Sequence, residues 1–316
     1  MIVAVSLNSA LDRVYDIENF HVGGRFRVER VREIAGGKAL NVARVAGILG
    51  AEVTAVGFLA GFTGDRIEAL ARQSGMRTAF VRVQGESRQC HTFVHVGQES
   101  TEVLEPGPTV TEKDVAALKE LLAETVSEGD VVCMSGSIPP GAPVDIYADL
   151  IECVRERKAV ALLDASGAAL RAGLDAGPYA VKPNRPEIEE YLGRKVDLDE
   201  LPEVALELHR RGIAWVLVSL GGDGMMAAAA GGVWRVRVPE IEVVTAVGSG
   251  DAFVGGWAAT VERHGPVPEP SEELIVEALK RGSAAGVSNA LHVETGTCDP
   301  DQVADLMEQI EVTRVL

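Results

Sequence analysis

The sequence predicts an α/β protein built on a doubly wound, mainly parallel sheet, with a small β-sheet lid beside it. Three observations predict this. Short β-branched runs alternate with helix-like stretches along most of the chain, the order that repeated βα units produce. The runs are continuously apolar rather than alternating, as burial on both faces of a parallel sheet demands. Residues 11–34 and 86–105 break this rhythm, alternating polar and apolar residues without a helical period, and so form a separate sheet.

In chain order, the apolar stretch of Met1–Asn8 has no basic residues before it, so it opens a first strand rather than a leader. The first lid segment follows, then a helix near 38–50. Val53-Thr54-Ala55-Val56 is a buried strand leading into a helix near 64–75. The second lid segment contains Gln89-Cys90-His91-Thr92-Phe93-Val94-His95-Val96, whose successive residues point to opposite faces. His91 and His95 would share one face as packed or interface histidines. The main domain resumes with a helix near 111–127, Val131-Val132-Cys133-Met134 as strand, a helix near 143–158 and Val160-Ala161-Leu162-Leu163 as strand. A helix near 200–212 precedes the strand Trp215-Val216-Leu217-Val218, and helices near 251–264 and 271–291 close the chain. The stretch from Pro266 to Pro270 is a loop between them. There is no internal repeat or linker, and residues 1–316 are expected to form one domain.

A chain of 316 residues buries a full core without disulfides or a structural metal. Its four cysteines, Cys90, Cys133, Cys153 and Cys298, form no C-x-x-C pair and read as reduced core thiols. A net charge of −17 sets up a field that repels nucleic acid and anionic membranes alike. No apolar run approaches membrane-spanning length, and the expected location is the cytoplasm. An anionic substrate would need cations gathered locally, so Arg and Lys near glycine turns carry information.

The strongest such turn is Val247-Gly248-Ser249-Gly250-Asp251-Ala252-Phe253, which leads from an extended segment into an apolar helix. Glycines let backbone N–H groups approach an anion, and the helix N-terminus adds favourable polarity. Asp251 would accept a proton from a hydroxyl attacking a phosphoryl group held there; the plainer reading makes it a helix N-cap. A second cluster, Ala35-Gly36-Gly37-Lys38-Ala39-Leu40-Asn41, can set backbone amides and Asn41 against sugar hydroxyls. It lacks the Walker spacing, since Ala39 follows the lysine. In Lys182-Pro183-Asn184-Arg185-Pro186-Glu187, Lys182 can reach a nucleotide phosphate, while Asn184 and Glu187 offer oxygens to Mg²⁺. Gly222-Asp223-Gly224-Met225-Met226-Ala227 matches a dinucleotide fingerprint and would suit a nicotinamide-dependent oxidoreductase. A hairpin pattern follows it, not the required helix, so the match reads as accidental.

In this order the clusters resemble the ribokinase/PfkB carbohydrate kinase family nearly end to end. Ser6-Leu7-Asn8-Ser9-Ala10-Leu11-Asp12, Ser87-Arg88-Gln89-Cys90, Ser135-Gly136-Ser137-Ile138-Pro139-Pro140-Gly141 and Ser219-Leu220-Gly221-Gly222-Asp223-Gly224 narrow the likeness to its hexose-phosphate branch. The resemblance implies a ribokinase-like, three-layer fold and an ATP-dependent, Mg²⁺-requiring kinase. It implies catalysis by Asp251 with Gly248, Ser249 and Gly250. It implies substrate binding by Asp12, Arg25, Arg27, Gly36, Gly37, Lys38, Asn41, Arg88 and Ser137. Nucleotide binding falls to Lys182, Ser219, Gly221, Gly224, Val247, Gly248, Gly250 and Asn289, and metal binding to Asn184 and Glu187. The implied acceptor is a phosphorylated ketohexose, fructose 1-phosphate first, with tagatose 6-phosphate or fructose 6-phosphate as alternatives and a catalytically silent sugar-phosphate sensor as the competing class. The branch usually has glycine where Ala39 stands and a hydroxyl residue where Ala246 stands, which implies an altered acceptor fit and a weaker nucleotide contact. Exposed lid strands imply a homodimer through the lid.

Overall fold

Ile2–Ser6 forms β1, whose side chains enter two separate cores in alternation: Ile2 and Ala4 on one face, Val3 and Val5 on the other. In the computed structural model, which describes residues 1–17, 20–28, 30–95 and 101–316, the lid strands β2 (Ala10–Ile17) and β3 (Val31–Gly36) come next. Then follow α1 (Lys38–Ile48), β4 (Val53–Ala60), α2 (Gly61–Gln73) and β5 (Arg77–Val83), and the second lid pair β6 (Arg88–His95) and β7 (Thr101–Leu104). Residues 18, 19, 29 and 96–100 of the two lid segments, and the side chain of His95, lie outside the described residues.

The chain continues through α3 (Glu112–Thr125), β8 (Val131–Ser135), α4 (Ile146–Glu156), β9 (Val160–Asp164), α5 (Gly167–Asp175), β10 (Ala180–Val181), α6 (Arg185–Leu192) and α7 (Leu201–Arg210). It ends with β11 (Trp215–Ser219), the hairpin β12 (Met225–Ala229) and β13 (Gly232–Arg237), the helices α8 (Ser249–His264), α9 (Glu272–Ala290) and α10 (Pro300–Gln309), and β14 (Glu311–Arg314).

Among the described residues the large sheet has ten strands in the order β14-β13-β12-β11-β10-β9-β8-β1-β4-β5. From β11 to β5 all neighbours are parallel, and the last three strands at the other end are antiparallel. Helices α1, α2, α8, α9 and α10 pack on one face and α3 to α7 on the other. The lid is a four-stranded sheet, β3-β2-β6-β7, with β2 and β6 parallel at its centre. The expected fold class is the one observed.

The structure contains elements that the sequence expectation lacks, among them β5 and α5. The closing helices are followed by α10 and β14, which the sequence reading left out. Helix α10 is short and amphipathic, and it is marked by Asp299 at its N-cap and Pro300 in its first turn, a start signal that was readable. Strand β14 is a mostly exposed edge strand, so it lacks the apolar run that betrays a central one. At Gly221–Asp223 a 3₁₀ turn leads into the β12–β13 hairpin, so no dinucleotide-binding helix follows the fingerprint. All four cysteines are free, three of them buried. His91 packs against the ring of Tyr15 and hydrogen-bonds its hydroxyl at 3.2 Å. Among the described residues no helix is long and apolar enough to cross a membrane.

Candidate active site

The order of strands reverses between β1 and β8: β1 connects towards β4 on one side, while β8 lies on the other. Such a reversal opens a crevice at the carboxyl ends of the strands. Asn8, just past β1, spans it, donating through Nδ2 to Ser137 Oγ (3.2 Å) and to the Pro106 carbonyl (3.1 Å). Its own carbonyl accepts from Arg88 Nε at 3.0 Å, which fixes the guanidinium at the base of the lid.

Asp12, on β2, stands beside Gly36 at the end of β3. A Cβ on Gly36 would lie 2.0 Å from the Asp12 carboxyl, so only glycine leaves that carboxylate its place. The Gly37 N–H donates to Asp12, whose pKa burial pushes up to about 6 against the pull of Arg44 and Arg88. Arg25 and Arg27 are exposed on the segment joining β2 to β3. Gly36→Ala is therefore expected to displace Asp12; with Asp12 on the acceptor's hydroxyls, as the resemblance implies, the KM for the acceptor should rise by about 10- to 100-fold, the cost of one charge-assisted hydrogen bond, and the KM for the phosphoryl donor should stay unchanged in the same steady-state assay.

Gly248, whose φ of +82° suits glycine, precedes the first residue of α8, and no side chain among the described residues caps the helix. The N-cap is thus Gly248, and Asp251 sits in the first turn with only 6% of its surface exposed. Asp251 Oδ2 accepts from Asn41 Nδ2 at 2.9 Å. Burial first, then the nearby negative charge of Asp164, push the Asp251 pKa up to about 7, against the Asn41 hydrogen bond, Lys38 and Lys182. A carboxylate tuned there can exchange a proton with a hydroxyl near neutral pH. The turn is braced from below by Asn289, fully buried, which donates to Val247 O (2.9 Å) and Ser249 Oγ (3.2 Å) and accepts from Gly296 N (2.8 Å).

Two cations converge on Asp164 at the end of β9. Lys38 Nζ lies 3.3 Å and Lys182 Nζ 3.4 Å from its Oδ1, and the carboxylate holds the Lys38 pKa above its usual value. A Cβ on Gly250 would lie 3.3 Å from Lys182 Nζ, so this lysine sits against the glycine turn. The cluster places positive charge beside uncapped helix N–H groups, an arrangement suited to a phosphoryl group. A cavity of about 550 Å³ adjoins it, lined by Lys182, Ser219, Gly221, Gly224, Ser249 and Gly250, among others. Val238, Pro239, Ile241, Val243 and Ala246 also line it and give it the apolar surface that suits a nucleotide base.

For a divalent ion, Asp164 offers Oδ2, a buried oxygen with no hydrogen-bond partner among the described residues. Asn184 and Glu187 form a capping box on α6, with Glu187 N donating to Asn184 Oδ1 (2.9 Å) and Asn184 N to Glu187 Oε2 (2.8 Å). This leaves Glu187 Oε1 as its available oxygen, on a carboxyl whose pKa burial raises. Among the described residues no group of three acidic, histidine or cysteine side chains forms a closed metal cage. Asn184, expected beside Glu187 as a ligand, has its Oδ1 engaged in the helix cap, and it is the open pair Asp164 and Glu187 that fits Mg²⁺, which keeps waters and phosphate oxygens in its shell.

Sequence reasoning passed over Asp164, Asn8 and Arg44 as site residues. Asp164 carried one readable signal: an acidic residue ending an apolar parallel strand, the edge where such sheets bind ligands.

A family model described as pfkB family carbohydrate kinase matches residues 3–302. The chain is 36% identical over 319 residues to a tagatose-6-phosphate kinase of Staphylococcus epidermidis, covering 100% of both chains. Phosphofructokinase-2 from Escherichia coli, in a crystal structure with potassium, superposes with a TM-score of 0.89 at 26% identity over 98% of each chain. A possible 1-phosphofructokinase from Thermotoga maritima superposes with a TM-score of 0.86 at 27% identity, over 100% of this chain and 99% of that one.

Proposed function

The chain belongs to the pfkB family of carbohydrate kinases, and from that premise we propose that it transfers the γ-phosphoryl group of ATP to the free primary hydroxyl of a phosphorylated ketohexose. Kinase activity on a sugar phosphate with ATP as co-substrate follows from the family and its named relatives. The observation that carries the finer reading is the meeting of Asp251, the uncapped first turn of α8 and the Lys38–Asp164–Lys182 cluster at one point.

The acceptor lies under the lid with its hydroxyls on Asp12 and its phosphate towards Arg88, the guanidinium that Asn8 orients. Arg25 and Arg27, which the resemblance gives as substrate-binding residues, lie on the segment joining β2 to β3 of the same lid and add charge towards that phosphate. Asp251 takes the proton of the attacking hydroxyl, and Asn41 holds the carboxylate in place while it does so. Lys182, Lys38 and the N–H groups of the first turn of α8 stabilise the charge that gathers on the transferring group. Mg²⁺, held by Asp164 and Glu187, would neutralise charge on the ATP phosphates. Closing the lid keeps water from the nucleotide.

Tagatose 6-phosphate heads the candidate acceptors, supported by the full-length relative at 36% identity. Fructose 1-phosphate follows, supported by the Thermotoga neighbour at 27%. A homodimer covering the apolar edge strand β7, where Val103 and Leu104 are 53% and 60% exposed, completes this reading, in the cytoplasm where both reactants are drawn from. A coupled ADP-release assay with Mg-ATP across tagatose 6-phosphate, fructose 1-phosphate, fructose 6-phosphate, fructose and ribose tests it. Turnover on one phosphorylated ketohexose is the expected result, with Arg88→Ala raising its KM by about 10- to 100-fold. Turnover on free sugars alone, or an Arg88→Ala variant with an unchanged KM, overturns the phosphate assignment.

A further inference from the structure

Arg44 is the hub of the site, although it is not among the residues that line the nucleotide cavity. It lies one turn after Asn41 on α1, on the same face of the helix. Its Nη1 donates to Asn41 Oδ1 (3.2 Å) and to the carbonyls of Thr295 (3.1 Å) and Gly296 (3.1 Å), and its Nη2 donates to the carbonyl of Ala35. Burial pulls its pKa down, while the charges of Asp12, Glu294 and Asp251 hold it up. One guanidinium thus ties the lid base, which ends at Gly36, to the loop that Asn289 grips under the glycine turn.

We propose that Arg44 is a positioning residue for phosphoryl transfer, setting the orientation of the Asn41 amide that holds Asp251. An amide can face its neighbours either way round, and its partners decide which. Arginine has donors only, so the Asn41 atom facing it is the oxygen, and Nδ2 must then point at Asp251 and donate. Turned over, Asn41 would set an oxygen against the Asp251 carboxylate and push it out of line. Gly296 closes over the same amide so tightly that a Cβ there would lie 2.5 Å from it, and Arg44 fastens that residue as well. The lid base, the amide and the general base therefore hold their places together.

This proposal rests on Asp251 as the base, and the experiment separates the two. Kinetics of Arg44→Met, Arg44→Lys, Asn41→Leu and the Arg44→Met/Asn41→Leu double variant are measured on the sugar phosphate that the wild type phosphorylates. Arg44→Met is expected to lower kcat by about 10- to 100-fold, the scale of a misplaced catalytic group, with the KM for ATP changed less than about threefold. Arg44→Lys recovers part of the loss. In the Asn41→Leu background the Arg44 change costs little more, the signature of coupled residues. Additive losses, or a raised KM with intact kcat, overturn the proposal, and Arg44→Lys stands in for the methionine variant in the cycle if the latter fails to fold.

The side-chain amide signal of Asn41 in a ¹⁵N spectrum, identified by its absence from Asn41→Leu, gives a readout independent of turnover. Faster hydrogen exchange of that signal in the Arg44 variants is expected, and unchanged exchange sinks the proposal. If the wild type phosphorylates none of the sugars, the kinase reading falls, and the amide signal still decides the role of Arg44.

Discussion

Asp251→Asn is expected to lower kcat by about 10²- to 10⁴-fold, the usual contribution of a positioned general base, while both substrates bind within a few-fold of wild type by calorimetry. The two side chains are nearly the same shape, and the asparagine oxygen can still accept from Asn41 Nδ2, so the turn keeps its form. Only the proton acceptor is lost. Ionised Asp251 accepts the proton and protonated Asp251 cannot, so wild-type activity should fall as pH drops through about 7, the value to which burial pushes this carboxyl. The variant should lack that limb. Stability should move the other way. The native carboxyl keeps its proton up to about 7, well above the ordinary aspartate value of 3.8, so between these values the folded protein binds more protons than the unfolded chain. Its contribution to stability is present below pH 4 and is lost as pH rises through 7. Asp251→Asn should therefore gain in Tm relative to wild type as pH rises from about 4 to about 7. An asparagine variant with wild-type turnover removes Asp251 from the mechanism. A wild-type protein that binds sugar phosphates without transferring phosphate is a sensor.

Much of this site could be read along the chain because its parts are local. The glycine turn before Asp251 and the Gly36–Gly37 pair announce themselves by residue type, and the apolar runs of β4, β8, β9 and β11 announce two-sided burial. What escaped notice depends on residues far apart. Asp164 is one of 47 acidic residues, and its meaning comes from Lys38, 126 positions away, and from Lys182. Arg44 looks like any helix arginine until carbonyls from positions 295 and 296 arrive beside it. Asn8 bridges β1 to β8 across 129 positions. Asn184 and Glu187 show the opposite case: an Asn-x-x-Glu spacing at a helix start is also the pattern of a capping box. The structure contains that box, so the local role of the pair is met whether or not a metal is bound.

The second large effect is expected at Asp164, where loss of one charge should cost both fold and function. Asp164 is 1% exposed and Lys182 5% exposed, so the ion pair between them has little water to replace a missing partner. Asp164→Asn leaves Lys182 with a buried charge and only a neutral oxygen opposite it. Breaking a buried pair in this way typically costs about 3–5 kcal/mol, which a shifted urea midpoint would report. Lys38 suffers less, because its side chain is 43% exposed and water can take the place of the carboxylate. The same change removes the unpartnered Oδ2 offered to the divalent ion, so turnover should fall and the Mg²⁺ concentration needed for half-activity should rise. Adding Lys182→Met removes the stranded charge and should restore most of the stability without restoring turnover, because matched removal of both partners avoids the desolvation penalty. A double variant no more stable than Asp164→Asn would show that the ion pair is not what holds the strand ends together. Recovered turnover would show that Asp164 and Lys182 serve only the fold.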